Sequence, residues 1–515
     1  MRVRRRCPGG SPVLRSLWKA CERRLTRLPR ATRQASQMRG AQLLRKTKIV
    51  CTIGPASHGL ESLRKLAQAG LDVARLNFSH GSHAEHAERI RMIRQVEAER
   101  GRYIPVMLDT KGPELRIGSF AHGPITLSPG ASFTITTEPV AGGLDEVSVN
   151  YAGLPLVVSP GDRLLLDDGL LELEVTSVKG IAVECRVVVG GQLSSRKRVS
   201  IPRKRLNLPT LSADDKNDLL FGIDSGVDIV AASFMRSASD VQQVKSFLAE
   251  HGSAIPVIAK IESREGIENL DAILRAADGL MVARGDLGVE MPAEDVPIIQ
   301  KQMIQKCRRA GKPVITATQM LDSMIRNPSP TRAEVSDVAN AVFDGTDAVM
   351  LSGETASGTY PLESVRTMAR IAERAELALQ YTDAPAPRLG SASTSVTDAI
   401  GHATVQIAAE LRAAAIITST KSGWTARMIS KHRPKTMIIA VATDPHTTRT
   451  LNLLWGVYPI LGEDIATTDE MILIAVNKAV EAGYARPGDT VIITAGVPVG
   501  ASGTTNLIKV HEIKP

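Results

Sequence analysis

The chain has 515 residues, with 63 Lys and Arg against 54 Asp and Glu, a formal net charge of +9. Apolar content of 43% beside 23% charged residues is that of a globular protein with a large core, and the length favours several domains. Aromatics at only 3% leave few rings on which single-stranded nucleic acid could stack, which counts against a nucleic-acid partner.

The charge is concentrated at the start. The first forty residues hold eleven Arg plus Lys19 against the single acid Glu22, which leaves 51 bases against 53 acids for the body. Two readings of this arm stay open: an organellar transit peptide, or an over-extended start upstream of Met38. Cys7, Cys21, Cys51, Cys185 and Cys307 are far apart and form no CxxC pair. That spacing fits a reducing, cytoplasmic compartment and argues against a zinc site. The apolar runs have strand length, well short of a membrane span.

From Thr47 short β-branched runs alternate with longer amphipathic segments. Strands are expected over 48–53, 72–77, 104–109, 227–233, 256–262, 279–284, 313–318 and 347–352. Eight such runs with helices between most of them predict a closed (β/α)8 barrel. Ser82 and Glu85 form a capping box for the helix running toward Arg100, and Gly101 stops it. Between Gly112 and Leu208 no helix is expected. Short alternating runs over 133–137, 163–166, 170–175 and 181–189, separated by turn signals, predict a small all-β lid inserted after the third strand. The Gly142-Gly143 and Gly190-Gly191 pairs read as hairpin turns. After the eighth strand and its helix, Asp383–Ser395 is a Pro/Ala/Ser linker to a separate α/β domain with strands near 415–419, 437–441 and 491–494. No internal repeat is evident. The expected division is a disordered arm over 1–44, a barrel over 45–112 and 209–383, a lid over 113–208 and a C-terminal domain over 384–515.

Polar residues end six of the barrel strands, where barrels place their chemistry. These ends are Arg75-Leu-Asn77-Phe-Ser79-His80, Asp109-Thr110-Lys111, Lys260-Ile-Glu262, Arg284-Gly285-Asp286, Thr318-Gln319 and Ser352-Gly353-Glu354. Alternate residues share a face, so Arg75, Asn77 and Ser79 can point together, as can Lys260 and Glu262. Glu262 and Asp286, without a nearby His or Cys, suit a hard cation such as Mg²⁺ or Mn²⁺; salt bridges to Lys260 and Arg284 explain them equally well. Asn77, Ser79, Asp109 and Thr110 suit a monovalent cation, or bond among themselves. Arg75 and Lys260 offer charge to a phosphorylated substrate. No GxxxxGK[ST] loop and no GxGxxG after a strand is present. The residues point to metal-assisted phosphoryl chemistry on a small anion.

Seven motifs, KTKIVCTIGPAS (46–57), ARLNFSHG (74–81), MLDTKGPELRIG (107–118), AKIESREG (259–266), ARGDLGVE (283–290), ATQMLDSM (317–324) and LSGETASG (351–358), resemble the pyruvate kinase family in its bacterial form. The resemblance runs on through TKSGWTAR (420–427) to SGTTNLIKV (502–510). It implies a glycolytic transfer of the phosphoryl group of phosphoenolpyruvate to ADP, giving pyruvate and ATP, with Mg²⁺ (or Mn²⁺) and K⁺ as cofactors. Lys260, Thr318 and Arg75 are implied as catalytic, with Lys260 stabilising the enolate and Gly285 and Thr318 at the substrate carboxylate. Glu262 and Asp286 match the Mg²⁺ ligands. Arg75, Asn77, His80, Arg116 and Lys197 match positions touching nucleotide or phosphoryl groups, and Asn77, Ser79, Asp109 and Thr110 match the K⁺ site. Glu114 is the residue type of K⁺-dependent members.

The lid motif Lys-Lys-Gly-Val-Asn-x-Pro-Gly stands here as Arg196-Lys197-Arg198-Val199-Ser200-Ile201-Pro202-Arg203, with both glycines replaced by Arg. Thr420, Lys421, Ser422, Gly423 and Thr425 match the effector loop. The 496–503 loop lacks the Trp-Arg pair that grips fructose 1,6-bisphosphate in animal members, which points to a sugar monophosphate or AMP as activator. The family is usually homotetrameric. A phosphoenolpyruvate/pyruvate barrel enzyme of carbon–carbon bond chemistry is the rival reading.

Overall fold

The computed structural model describes residues 45–202, 204, 206–379, 395–463, 467–498 and 503–514. The Arg-rich arm with Cys7 and Cys21, Arg203, the linker up to residue 394 and the tip of the 496–503 loop lie outside the described residues.

The eight barrel strands are Lys48–Thr52, Val73–Asn77, Val106–Asp109, Ile229–Ala232, Val257–Ile261, Gly279–Ala283, Val314–Ala317 and Ala348–Leu351. All pair in parallel, and the first strand bonds to both the second and the eighth, which closes the barrel. Strand alternation divides the core. Val50, Val73, Met107, Ile258, Met281 and Ile315 fill the interior, while Ile49, Leu76, Leu108, Ala259 and Val282 pack outward beneath the helices. Helix starts are fixed chemically. Ser82–Glu85, Ser212–Asp215, Ser237–Asp240 and Thr331–Glu334 each form a reciprocal capping box, and Gly101 takes a left-handed φ of 60° to end the helix His83–Arg100.

A one-residue repeat emerges at the barrel floor. An Asp stands at the entry to each even-numbered strand and accepts a backbone N–H from the odd-numbered strand beside it. The pairs are Asp72 with Ile49 at 2.9 Å, Asp228 with Val106 at 2.8 Å, Asp278 with Val257 at 2.9 Å and Asp347 with Val314 at 3.1 Å. Each carboxylate satisfies a donor at a strand start that would otherwise be left unpaired.

The C-terminal domain is seated on this floor. Leu453 joins the interior barrel cluster, Trp455 N–H bonds Asp347, and the Lys48 ammonium donates to the Val457 carbonyl at 2.6 Å. Its five-stranded sheet comprises Ala415–Thr420, Met437–Ala442, Val457–Leu461, Thr490–Ala495 and the antiparallel Leu507–Glu512. The two strands absent from the sequence reading are the sheet's edges. Pro459 in one and the charged Lys509 and Glu512 in the other are tolerated where one side of a strand is free.

The insertion has its own core, built from Leu115, Phe133, Ile135, Leu164, Leu173, Val187 and their neighbours. Four short strands beyond those expected are present, Ile125–Leu127, Glu146–Ser148, Gly191–Leu193 and Val199–Ser200, along with one helical turn at Leu154–Val157. That turn corrects the expectation of no helix. Gly190-Gly191 is not a hairpin either. It leads from Ala182–Val189 into Gly191–Leu193, which pairs with Ile125–Leu127, and a Cβ at Gly190 would lie 2.3 Å from the Leu127 carbonyl. Glycine is required there by close approach. Among the described residues no helix is long and apolar enough to cross a membrane.

Candidate active site

Arg75, Asp109 and Lys260 share strand parity with the interior residues Val73, Met107 and Ile258, so they continue the barrel lining up to its C-terminal mouth. There they meet. The Arg75 Nε donates to Asp109 Oδ2 at 2.6 Å and its Nη1 donates to Thr52 Oγ1 at 2.9 Å. The Lys260 ammonium donates to Asp109 Oδ1 at 2.9 Å and to Ser233 Oγ at 2.7 Å, and lies 3.1 Å from Glu262 Oε1. All four charged side chains are buried.

The electrostatics follow from this packing. Burial works against every charged form here, but Asp109 and Glu262 outweigh it at Lys260 and hold the ammonium well above its ordinary value. At Asp109, burial is overcome by Arg75 and Lys260, so its carboxyl falls below the usual range. Glu262 goes the other way. Burial pushes its carboxyl up, Lys260 pulls it back only in part, and Asp286 adds to the push. A buried carboxyl pushed up by a neighbouring carboxylate is an arrangement that a further cation relieves.

Glu262 Oε2 also accepts the Phe234 N–H at 2.5 Å. Asp286 opens the short helix Arg284–Glu290 and is paired with Arg198, which reaches across from the lid. The salt-bridge alternative is thus half realised: Glu262 has Lys260, whereas Arg284 turns away to Asp337 at 2.7 Å and to the Thr318 carbonyl. Thr318 has a left-handed φ of 66°, and its hydroxyl accepts the Gly285 N–H at 2.7 Å and donates to the Ala317 carbonyl. A threonine held at that φ is strained, and such strain collects at functional sites.

Asn77, Asp109 and Thr110, considered for a monovalent cation, have side-chain oxygens engaged with neighbours. Asn77 Oδ1 accepts the Ser79 N–H at 3.2 Å, and the Thr110 hydroxyl accepts the Ser233 N–H at 3.0 Å. Glu114 holds Arg116, with Nε 2.6 Å from its carboxylate, and His80 is exposed. Lys197 pairs with Asp167 of the lid at 2.7 Å. The effector-loop residues lie at the end of strand Ala415–Thr420 and the start of helix Trp424–Ser430, with Lys421 and Ser422 exposed, Gly423 left-handed and Thr425 hydrogen-bonded to Thr505 at 3.0 Å. They lie in the C-terminal domain, apart from the residues gathered at the barrel mouth.

Ser233, Thr52 and Phe234 are site residues that the sequence reading missed. Ser233 directly follows the fourth strand, so the polar-strand-end rule applied there would have found it. Among the described residues no group of three or more His, Cys, Asp and Glu gathers as a metal cage. Two carboxylates fit a cation that takes its remaining oxygens from water and substrate, and the Arg198 guanidinium at Asp286 already stands in for such a charge.

A closed barrel under an inserted lid, with an Arg, a Lys and two facing carboxylates in its mouth, defines a barrel enzyme suited to a phosphorylated anion and a hard divalent cation. The family description "Pyruvate kinase, barrel domain" matches residues 44–365, and "Pyruvate kinase, alpha/beta domain" matches residues 398–511. The pyruvate kinase of Geobacillus stearothermophilus is 54% identical over 472 residues, covering 91% of this chain and 80% of that protein. That of Clostridium acetobutylicum is 47% identical over 473 residues, covering 92% of this chain and 100% of that protein. The chain belongs to the pyruvate kinase family.

Proposed function

We propose that this protein transfers the phosphoryl group of phosphoenolpyruvate to ADP, giving pyruvate and ATP. The observation that carries the reading is the Lys260 ammonium, buried at the barrel mouth between Asp109 and Glu262 and beside Ser233. It is fixed where an oxyanion would form, and its raised pKa keeps it charged throughout.

An oxygen of the ADP β-phosphate attacks phosphorus, and the bond from phosphorus to the enol oxygen breaks. Lys260 holds the charge that develops on that oxygen. Arg75, kept straight by Asp109 and Thr52, presents its remaining donors to the phosphoryl group. The Gly285 N–H and the Thr318 hydroxyl would take the substrate carboxylate in place of their present bonds to Thr318 and to the Ala317 carbonyl. The enolate is then protonated on carbon, by Thr318 or a water beside it. Mg²⁺ or Mn²⁺, held by Glu262 and Asp286, would neutralise phosphoryl charge when bound. Asn77, Ser79, Asp109 and Thr110 would hold K⁺, with Asp109 still bound to Arg75 and Lys260. His80 and Arg116 are proposed at the nucleotide. Lys197 takes that role only if it leaves Asp167.

The barrel over 45–112 and 209–383 is taken as catalytic, 113–208 as its lid and 384–515 as an effector domain reading a sugar monophosphate or AMP through Thr420–Thr425. A cytoplasmic homotetramer is the proposed working form. A lactate-dehydrogenase-coupled assay with phosphoenolpyruvate, ADP, Mg²⁺ and K⁺ tests the reaction. Steady NADH loss that depends on ADP is expected, and pyruvate formation independent of ADP would favour the carbon–carbon alternative.

A further inference from the structure

Arg198 occupies a position where the family's lid motif has glycine. Its backbone is held inside the lid: it bridges to Arg116, and its carbonyl accepts the Asp167 N–H at 3.1 Å. Its side chain leaves the lid and crosses to the barrel mouth. The guanidinium pairs with Asp286 and lies 4.8 Å from the ring centroid of Phe234, and the side chain is only 11% exposed. Phe234 in turn anchors Glu262 through its backbone N–H. Arg198 therefore touches one of the two facing carboxylates and packs on the residue that positions the other.

A guanidinium cannot lose its proton in a protein, so only displacement removes this charge. It can neutralise Asp286 but has no orbital with which to accept a phosphoryl oxygen. Glycine in its place would leave the carboxylate open to a metal ion.

We propose that Arg198 is a lid-borne counter-ion that occupies the divalent cation's place at Asp286, so that metal entry requires the lid to release it. The inference rests on the reading of Glu262 and Asp286 as metal ligands. It makes metal affinity and lid position two sides of one equilibrium, in which a metal bound at Asp286 loosens the lid and a latched lid weakens the metal.

Mn²⁺ binding to the full-length, substrate-free protein, followed by the EPR signal of free Mn²⁺, tests it without turnover. R198G and R198Q should each bind Mn²⁺ about tenfold more tightly than the parent protein, since each removes a competing buried cation. Hydrogen exchange in the segment around residues 196–202 should rise on adding Mn²⁺ to the parent protein and stay constant in R198Q. D286N serves as the control and should lose tight binding. Unchanged or weaker Mn²⁺ affinity in both Arg198 variants, with binding lost in D286N, would overturn the latch and leave the metal site standing. Full binding by D286N would remove both.

Discussion

Residues at the mouth act through paired burial. Lys260, Asp109, Arg75 and Glu262 lie within one network, so no member is replaceable without leaving a charge uncompensated. Lys260→Met keeps the stem and removes the ammonium; turnover should fall by about 10³-fold or more, with the far-UV CD spectrum unchanged. A variant with near-parental kcat would contradict the role given to Lys260. Glu114 argues for K⁺ dependence, so activity in K⁺-free buffer should drop sharply and return on adding K⁺; full activity without it refutes that inference. Arg75, Lys260 and Glu262 were legible in the sequence because strand alternation alone places them on the barrel lining. The partner of Asp286 was not, because Arg198 is 88 residues away in the chain and its side-chain path depends on how the lid folds over the mouth.

Elements are fixed by chemistry at their ends. The barrel strands and the capping boxes were readable because apolar runs and S-x-x-E patterns are local signals. The lid's two- and three-residue strands carry too few positions to show alternation, and the edge strands of the C-terminal sheet bear Pro459 or charge. The Asp residues of the barrel floor tie strand to strand, and their strength should follow their burial. Asp228 is enclosed and also holds Arg94, whereas Asp278 is half exposed beside Lys245. Asp228→Ala should therefore cost about 3 kcal/mol or more. Asp278→Ala should cost about 1 kcal/mol, the worth of one accessible hydrogen bond. Urea unfolding compares them, and equal losses would contradict the account of the floor.

Across the whole molecule the lid reaches the mouth through Arg198 and the C-terminal domain is seated against the floor. The seam near that floor carries a pH signature. Burial and the adjacent Lys431 hold the His432 imidazole down at about 4, and neither ring nitrogen has a hydrogen-bond partner. The unfolded chain therefore binds a proton there between about pH 6.5 and 4 that the folded chain refuses, and stability is lost as pH falls through that window. Between pH 7 and pH 5, His432→Leu should lose about 2 kcal/mol less than the parent protein in denaturant titrations. A parallel loss in both proteins would show that His432 is not responsible. The net charge of +9 comes from the arm, because the body is nearly neutral and its working cations are single placed residues. Deleting residues 1–37 should lower the isoelectric point and leave kcat and KM unchanged.

The reaction moves one phosphoryl group between two named partners. Phosphorus NMR of the protein with phosphoenolpyruvate, ADP, Mg²⁺ and K⁺ follows it atom by atom. The phosphoenolpyruvate resonance should decline in step with the appearance of the ATP γ-phosphate, and Lys260→Met should leave both unchanged. Loss of phosphoenolpyruvate with release of inorganic phosphate and no ATP would rule out this transfer.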